Sequence, residues 1–443
     1  MAGEYTLGID IGTTFTAAAV CRDGRATVCT LGTRAQSIPT VVAVLADGQV
    51  LVGEPAERRA TIDPAQVARE FKRRLGDTTP LVLGATSYTP QALMALVLKH
   101  VIREVTVAED GPPAEVVLTH PAHFGPYKRE LMGEVIRLAD VANARLITEP
   151  EAAAISYAQK SVIEPGRTVA VYDLGGGTFD AALVRRSRGG GFELVGSADG
   201  IDRLGGVDFD QLLAEMVLER ADVSPEAMSQ ARPAELAAFR QRCRDAKEAL
   251  SADDSADIAV GLGGIDSVTI IRADFDHAIR PRILESVESL QRVIRSSGLS
   301  SADIDRILLV GGSSRIPLVA DTIRLTLGLP VAVDANPKFA ICAGAALPPS
   351  TAPATTTSIS LSMSTTLPSG LITPRRSRPK NACGPAATPG ISQNSARRVS
   401  AIKAPSGTNA GGRSCLRNTP WLSTSPSHAR TAPSSPTRAV HHG

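Results

Sequence analysis

The chain of 443 residues lacks several features that would assign it to a class at once. No run of about 18 apolar residues occurs, which argues against a membrane-spanning helix. The opening segment MAGEYTLGIDIG has neither a basic stretch nor an apolar core, so no secretory leader is expected. The six cysteines, at 21, 29, 243, 342, 383 and 415, form no CxxC pair, and no cysteine–histidine spacing suits zinc. Such scattered cysteines read as reduced thiols, and the expected location is cytoplasmic. The seven histidines include no HExxH, so no metal-ligand cluster is visible. Acidic residues are absent from 348–443, which carry 11 Lys and Arg, 13 Pro and 30 Ser and Thr. Residues 1–347 therefore hold 36 basic and 45 acidic residues, a net charge of −9, although the whole chain carries +2.

That split excludes one uniform domain. A Pro/Ser/Thr/Arg-rich stretch buries too little apolar surface to offset its ordering entropy, so a disordered tail is expected over 348–443. Its basic residues are dispersed and no aromatic series accompanies them, so nucleic acid is not an expected partner. The abrupt loss of acidic residues after Leu347 also fits a shifted reading frame.

The body alternates strands and helices. YTLGIDIG, TAAAVCR and TVVAVLA read as strands, and 89–107 has apolar residues at helical spacing. VVLTHPAHF is a strand ending at Pro121, followed by a helix over 128–143 and another in EAAAISYAQK. A second strand cluster, TVAVYDLGGG, FDAALVRR and FELVGSADG, precedes helices at about 208–221 and 233–251. IAVGL and SVTIIRA are short strands, 274–297 a helix, RILLVGG a strand, and a helix starts near Pro317. GIDIGTTFTAAAV and VYDLGGGTFDAALV share one form: apolar strand, Asp, glycine turn, Thr, apolar strand. Their aspartates, Asp10 and Asp173, lie 163 residues apart, which implies two related lobes. The expected limits are 1–164 for lobe I and 165–347 for lobe II, with a subdomain at about 207–297 and a final return to lobe I.

Two facing turns of this kind would clamp a phosphate chain and its metal ion. Gly12 allows the tight turn, and the backbone N–H groups with Thr13 and Thr14 can donate to phosphate oxygens. Asp10 ends its strand where it can hold Mg²⁺ through water. Taken alone, that turn is also an ordinary hairpin. Gly175-Gly176-Gly177 between Asp173 and Asp180 is harder to ascribe to packing. Gly311-Gly312 follow a strand and precede a helix, as an ordinary turn or a site for the adenosine of a nucleotide. No Walker lysine and no GxGxxG spacing is present. Lys72 lies among Arg69, Arg73 and Arg74 and reads equally as part of a solvated basic face. Glu149 reads equally as a favourable acid at a helix N-terminus.

The set GIDIGTTFTAAAV, FKRRLG, PAHF, TEPEAAAISY, VYDLGGGTFD, LGGVDFD, CRDAKEALS, LLVGGSSRIP and NPKFAICAGAA resembles, in order, the 70-kDa heat-shock chaperone family of the DnaK type. The resemblance spans about residues 5–347, the family's nucleotide-binding domain. It implies an α/β, two-lobed actin-like fold, a duplicated ribonuclease H-like domain, with MgATP in a deep cleft and K⁺ as a further expected ion. It implies slow ATP hydrolysis, with J-domain co-chaperones and nucleotide-exchange factors as partners. Asp10, Thr13 and Thr14 match the first phosphate loop; Thr178 and Asp180 complete the second. Lys72 matches the lysine that positions the attacking water, and Glu149 and Asp173 the carboxylates near water and metal. Lys247 and Ser251 match adenine and ribose contacts, and Gly311, Gly312, Ser313 and Arg315 the adenosine loop. Gly205 and Gly206 fall in the matching LGGVDFD segment. Pro121 and Arg129 match residues that relay the nucleotide state.

The chain departs from the family pattern at Lys338, Phe339, Arg244, Glu248, Val207 and Phe15, mostly on the purine side. No apolar linker or peptide-binding β-sandwich is read in 348–443, so an ATPase domain without a client-folding half is expected. Alternatives are a sugar kinase, an actin-like filament protein and a non-hydrolysing, nucleotide-gated partner-binding module. FKRRLG with TEPEAAA speaks against the first, and the Lys72 segment against the second.

Overall fold

The expected first strand forms as β1 (Thr6–Ile11), and Leu7, Ile9 and Ile11 are buried in one core. β2 (Phe15–Arg22) returns antiparallel, and β3 (Arg25–Val28) follows through an Asp23-Gly24 turn with positive φ at both residues. That left-handed pair matches the twist of a two-residue hairpin. The computed structural model describes residues 4–348, apart from residue 34, 263–265 and 334–335. The tail expected to be disordered lies, from 349 on, outside the described residues.

Helices α1 (Pro90–Ala108) and α2 (Pro126–Leu138) lead into β4 (Glu115–His120) and β5 (Ala144–Thr148), which pair in parallel beyond β1. The sheet order is β5-β4-β1-β2-β3. After α3 (Glu149–Ala158) come β6 (Thr168–Leu174), β7 (Phe179–Arg186) and β8 (Phe192–Ile201). Then follow α4 (Gly206–Arg220), α5 (Pro233–Ala249), a hairpin of Ser255–Ala259 with Ser267–Ile271, and α6 (Arg272–Ser296). β9 (Ile304–Val310), α7 (Pro317–Leu327), β10 (Val331–Val333) and α8 (Ala340–Ala346) close the described chain. The second sheet runs β8-β7-β6-β9-β10. Both sheets thus have the same order and the same senses: two antiparallel pairings, then two parallel ones. The repeat at Asp10 and Asp173 is a repeat of whole sheets, as in the duplicated, two-lobed actin-like fold.

Some elements differ from the sequence reading. The helix expected over 128–143 stops at Leu138, and Asp140 adopts a left-handed φ of 59°. TVVAVLA yields only a strand at Val42–Val44. The helix expected over 274–297 does form, as α6, and runs unbroken through Pro281. A short helix, Pro225–Gln230, was not anticipated; Ser224 caps it by accepting a bond from the Ala227 N–H.

α8 closes against the first sheet and α3 through small residues. α8 packs on α3, β1 and β2, and its buried Ala340, Ile341 and Ala345 join a cluster with Ala152, Val169, Val171 and Leu308. A Cβ at Gly344 would lie 1.7 Å from the Ala152 carbonyl oxygen, and one at Gly8 2.3 Å from the Ala346 nitrogen. Backbones touch here, and no side chain fits between them. Inside a helix, Gly→Ala ordinarily stabilises by about 1 kcal/mol. Gly344→Ala should do the opposite, with a loss of about 1–3 kcal/mol or more from overpacking. A lowered urea midpoint at unchanged m-value checks this.

Candidate functional site

A cavity of about 520 Å³ lies between the two sheets, lined by residues of both. Its floor is two equivalent turns. In the first, Gly12 N–H donates to the Phe15 carbonyl; in the second, Gly175 N–H donates to the Thr178 carbonyl, each at 3.0 Å. The same 163-residue offset relates both pairs. Thr13 and Thr14 therefore correspond to Gly176 and Gly177. A Cβ at Gly176 would lie 2.1 Å from Thr14 Oγ1, and one at Gly177 2.4 Å from Thr13 Cγ2. The two turns touch face to face, so only one of them can carry side chains at these positions. The hydroxyls of Thr13 and Thr14 are buried and have no partner. They are left free to bond something in the cavity.

Above the turns sit four carboxylates. Asp10 ends β1 and accepts from Thr119 Oγ1 at 3.2 Å; Asp173 stands opposite Asp180 in the β6–β7 register. Glu149 opens α3, whose N-terminus is fixed by a capping box of Thr148 and Glu151. Glu149 accepts from Lys72 Nζ at 2.9 Å, with both groups buried. Lys72 reaches it from a short 3₁₀ turn, Phe71–Arg74, anchored by the fully buried Phe71. The solvated-face reading holds for Arg69 and Arg74: Arg69 pairs with Glu57 and Arg74 with Asp77. Arg73 turns inward, donating to the Gly177 carbonyl at 2.7 Å and to Asp208 at 2.7 Å.

The electrostatics follow from burial. Burial lifts the Asp10 carboxyl to about 6, against the pull of Lys72 and with a further push from Glu149. Burial and three neighbouring carboxylates raise Asp173 well above the ordinary range. Asp180 is lifted by burial to about 6, although His123 bonds it. Burial opposes the Lys72 ammonium, but Glu149 and Asp10 more than offset this and raise it.

The far wall is built by β9 and the helical subdomain. Gly311 has φ +80°, and a Cβ there would meet Asp173 Oδ1 at 2.5 Å and the Leu174 carbonyl at 2.4 Å. Ser313 Oγ donates to the Gly175 carbonyl at 2.8 Å. Lys247 donates to the Gly206 carbonyl at 3.1 Å and pairs with Asp210 at 2.7 Å. Arg244 also approaches Asp210, at 3.6 Å. Ser251, Gly312, Arg315, Glu248 and Lys338 line the outer part, and Lys338 Nζ stands 3.9 Å from the Phe15 ring centre.

The cavity thus gathers Asp10, Gly12, Thr13, Thr14, Lys72, Glu149, Asp173, Gly175, Gly176, Thr178, Gly206, Lys247, Ser251 and the 311–315 loop. Gly177, Gly205 and Asp180 are not on its wall. Gly177 receives Arg73, Gly205 packs where a Cβ would lie 2.5 Å from the Gly177 nitrogen, and Asp180 is bonded by His123. Sequence reading missed Asp210, Arg73 and His123. For Asp210 a signal existed: it stands one helical turn after Gly206, so one lysine reaches both.

Among the described residues, no group of three or more His, Cys, Asp or Glu side chains is set to hold a metal by itself. Two carboxylates from opposing turns, Asp10 and Asp173, fit an ion that keeps most of its waters and shares the rest with phosphate, as Mg²⁺ does. The two unpartnered threonine hydroxyls fit the phosphate.

The family model described as Hsp70 protein matches residues 6–82 and 81–368. The match runs past Leu347, where the motif resemblance stops. Among curated proteins, "Chaperone protein DnaK" of Elusimicrobium minutum (strain Pei191) is 31% identical over 356 residues, covering 77% of this chain and 56% of that protein. The chain therefore spans little more than half the length of this relative.

The raised carboxyls set a pH dependence. Between about pH 5 and 7, ordinary carboxylates are already ionised. In that window the folded, ligand-free protein holds protons that the unfolded chain has released, so its stability should fall as pH rises. Thermal melts across the window should show this slope, and saturating Mg²⁺ with nucleotide should flatten it.

Proposed function

The chain belongs to the Hsp70 protein family, and from that premise we propose that residues 4–347 bind ATP with Mg²⁺ in the cleft and hydrolyse ATP slowly. The observation that carries this reading is the buried Lys72–Glu149 pair facing Asp10 and Asp173 across two glycine turns. The cavity volume is in the range of small-molecule sites, and its mouth holds Ser251, Arg315 and Lys338 for the nucleoside end.

In this reading the N–H groups of both turns and the Thr13 and Thr14 hydroxyls hold the terminal phosphates. Asp10 and Asp173 would hold Mg²⁺, which would supply positive charge for the phosphates. Glu149 accepts a hydrogen bond from the attacking water and orients it. Lys72, kept cationic by its carboxylate neighbours, stabilises the charge developing on the phosphoryl oxygens. The water oxygen bonds to the γ-phosphorus, the bond to the ADP oxygen breaks, and the water proton leaves with phosphate or solvent. Phosphoryl transfer asks little covalent chemistry of the protein, so positioning and charge carry the rate.

We assign the lobes as 1–164 and 165–347, with α8 returning onto the first. A role as a chaperone-type ATPase, with J-domain co-chaperones and nucleotide-exchange factors as partners, is part of this proposal and is supported by family membership. Among the described residues no helix is long and apolar enough to cross a membrane. A cytoplasmic location is proposed as well, supported by free thiols at Cys21, Cys29, Cys243 and Cys342.

Two variants test the reading. Lys72→Ala should slow single-turnover hydrolysis by roughly 10²–10³-fold, while the affinity for MgATP changes far less. Lost affinity with an unchanged rate would make Lys72 a binding residue only. Asp173→Asn should abolish most Mg²⁺-dependent turnover while circular dichroism stays unchanged; full turnover at saturating MgATP would remove Asp173 from the site.

A further inference from the structure

His123 follows β4 and points into the second sheet. Its Nδ1 is hydrogen-bonded to Asp180 Oδ1 on β7, and its buried Nε2, which makes no hydrogen bond, lies at ion-pair distance, 3.3 Å, from Asp202 Oδ1, just after β8. The ring has been given room: a Cβ at Gly200 would lie 2.5 Å from Nδ1. Phe124 meets the imidazole edge-on, with centroids 5.1 Å apart. Lys128, from α2, stands 3.6 Å from Asp202 Oδ2 and 4.9 Å from the Phe124 ring centre.

A neutral imidazole has one N–H and one acceptor nitrogen. Only the imidazolium can present an N–H to each of two carboxylates. The buried carboxylate set of Asp10, Glu149, Asp173 and Asp180 has Lys72 as its other close cation. We propose that His123 is a positioning residue, whose imidazolium joins the two lobes through Asp180 and Asp202 and so makes retention of nucleotide in the cleft depend on one proton.

This rests on the nucleotide-cleft reading. Asp180 is the register partner of Asp173 and follows Thr178 by two residues. With the proton lost, the ring keeps its bond to Asp180 but loses the ion pair with Asp202, and the carboxylates behind the cleft wall gain an uncompensated negative charge. The charged groups facing the ring are Asp180 from β7, Asp202 after β8 and Lys128 from α2; Glu149 and Lys72 act on it through Asp180. Burial works against the imidazolium and Lys128 opposes it, but Asp180 and Asp202 outweigh both and hold the proton above the ordinary histidine value. The linkage sign is therefore fixed. The bridge is fully present below the ordinary value and is lost as pH climbs through the raised one.

The test uses the full chain and a fluorescent ADP analogue with Mg²⁺, with dissociation measured from about pH 6 to 9. The expected dissociation rate rises by about tenfold along a single-proton curve with its midpoint above the ordinary histidine value. His123→Gln should give a flat profile at the fast limit. Asp202→Asn, which leaves the ring in place, should keep the curve but move its midpoint down. A flat wild-type profile, a titration that survives in His123→Gln, or an unmoved midpoint in Asp202→Asn each overturns the inference. Should His123→Gln fail to fold, the Asp202→Asn midpoint decides alone. Failure of the wild-type chain to bind the analogue at any pH would instead overturn the nucleotide reading.

Discussion

Four carboxylates, Asp10, Glu149, Asp173 and Asp180, are held between two sheets, with Lys72 bonded to one of them and His123 to another. Taking like charges out of water together is costly, and a partner recovers that cost only where geometry is good. Here the recovery is incomplete, as the raised Asp10, Asp173 and Asp180 carboxyls show. The ligand-free cleft is thus a folded place that stores unfavourable charge. Anything that brings positive charge to it is bound with the energy of relieving that repulsion, and stabilises the folded chain by mass action. A hydrated divalent cation escorted by phosphate is such a ligand. Part of the surrounding architecture keeps these charges from dispersing: small residues let α8, α3 and β1 touch backbone to backbone, which fixes Asp10 on β1 and Glu149 on α3 within one wall.

Duplication explains how two chemically different turns came to face each other. One sheet order used twice places two strand-end aspartates in equivalent positions, and the same hydrogen bond closes both turns. Facing turns cannot both carry side chains at the contact. The first keeps Thr13 and Thr14, and the second is reduced to Gly176 and Gly177. Gly176 and Gly177 are therefore a packing requirement, whereas a Cβ at Gly175 would meet only the Thr178 carbonyl, at 3.4 Å. Gly311 adds a third glycine constraint, because a methyl there would strike the Asp173 carboxylate itself.

Much of this was legible in the sequence, because long apolar strands, capped helices and glycine turns announce themselves locally. The repeat at Asp10 and Asp173 carried the two-sheet architecture, and the cavity gathers most of the residues the motifs named. What stayed hidden was the partner across the lobes. Arg73 sits in a basic run where Lys72, Arg73 and Arg74 look alike, and only tertiary packing sends one inward to Glu149, one to Gly177 and one to solvent. His123 gives no periodic signal, since its meaning lies in Asp180 and Asp202, 57 and 79 residues away. Helix ends were misjudged where a single left-handed aspartate, Asp140, stops α2 against the propensity of the residues that follow.

The distribution of departures from the family pattern has a physical sense. Deep in the cleft, a change of charge must be matched by a change of partner, because an unpaired buried charge costs several kcal/mol, of the order of 3–5. At the mouth, where Arg315 and Lys338 are exposed, water screens each group and an exposed pair contributes only about 0–1 kcal/mol. Lys338 and Glu248 lie on that outer part, and Lys338 has found a face of Phe15 to rest on. On the proposed nucleotide reading, changes of this kind would alter how long a nucleoside stays far more readily than the step at the γ-phosphorus, so that the interior would fix the chemistry and the mouth the residence time.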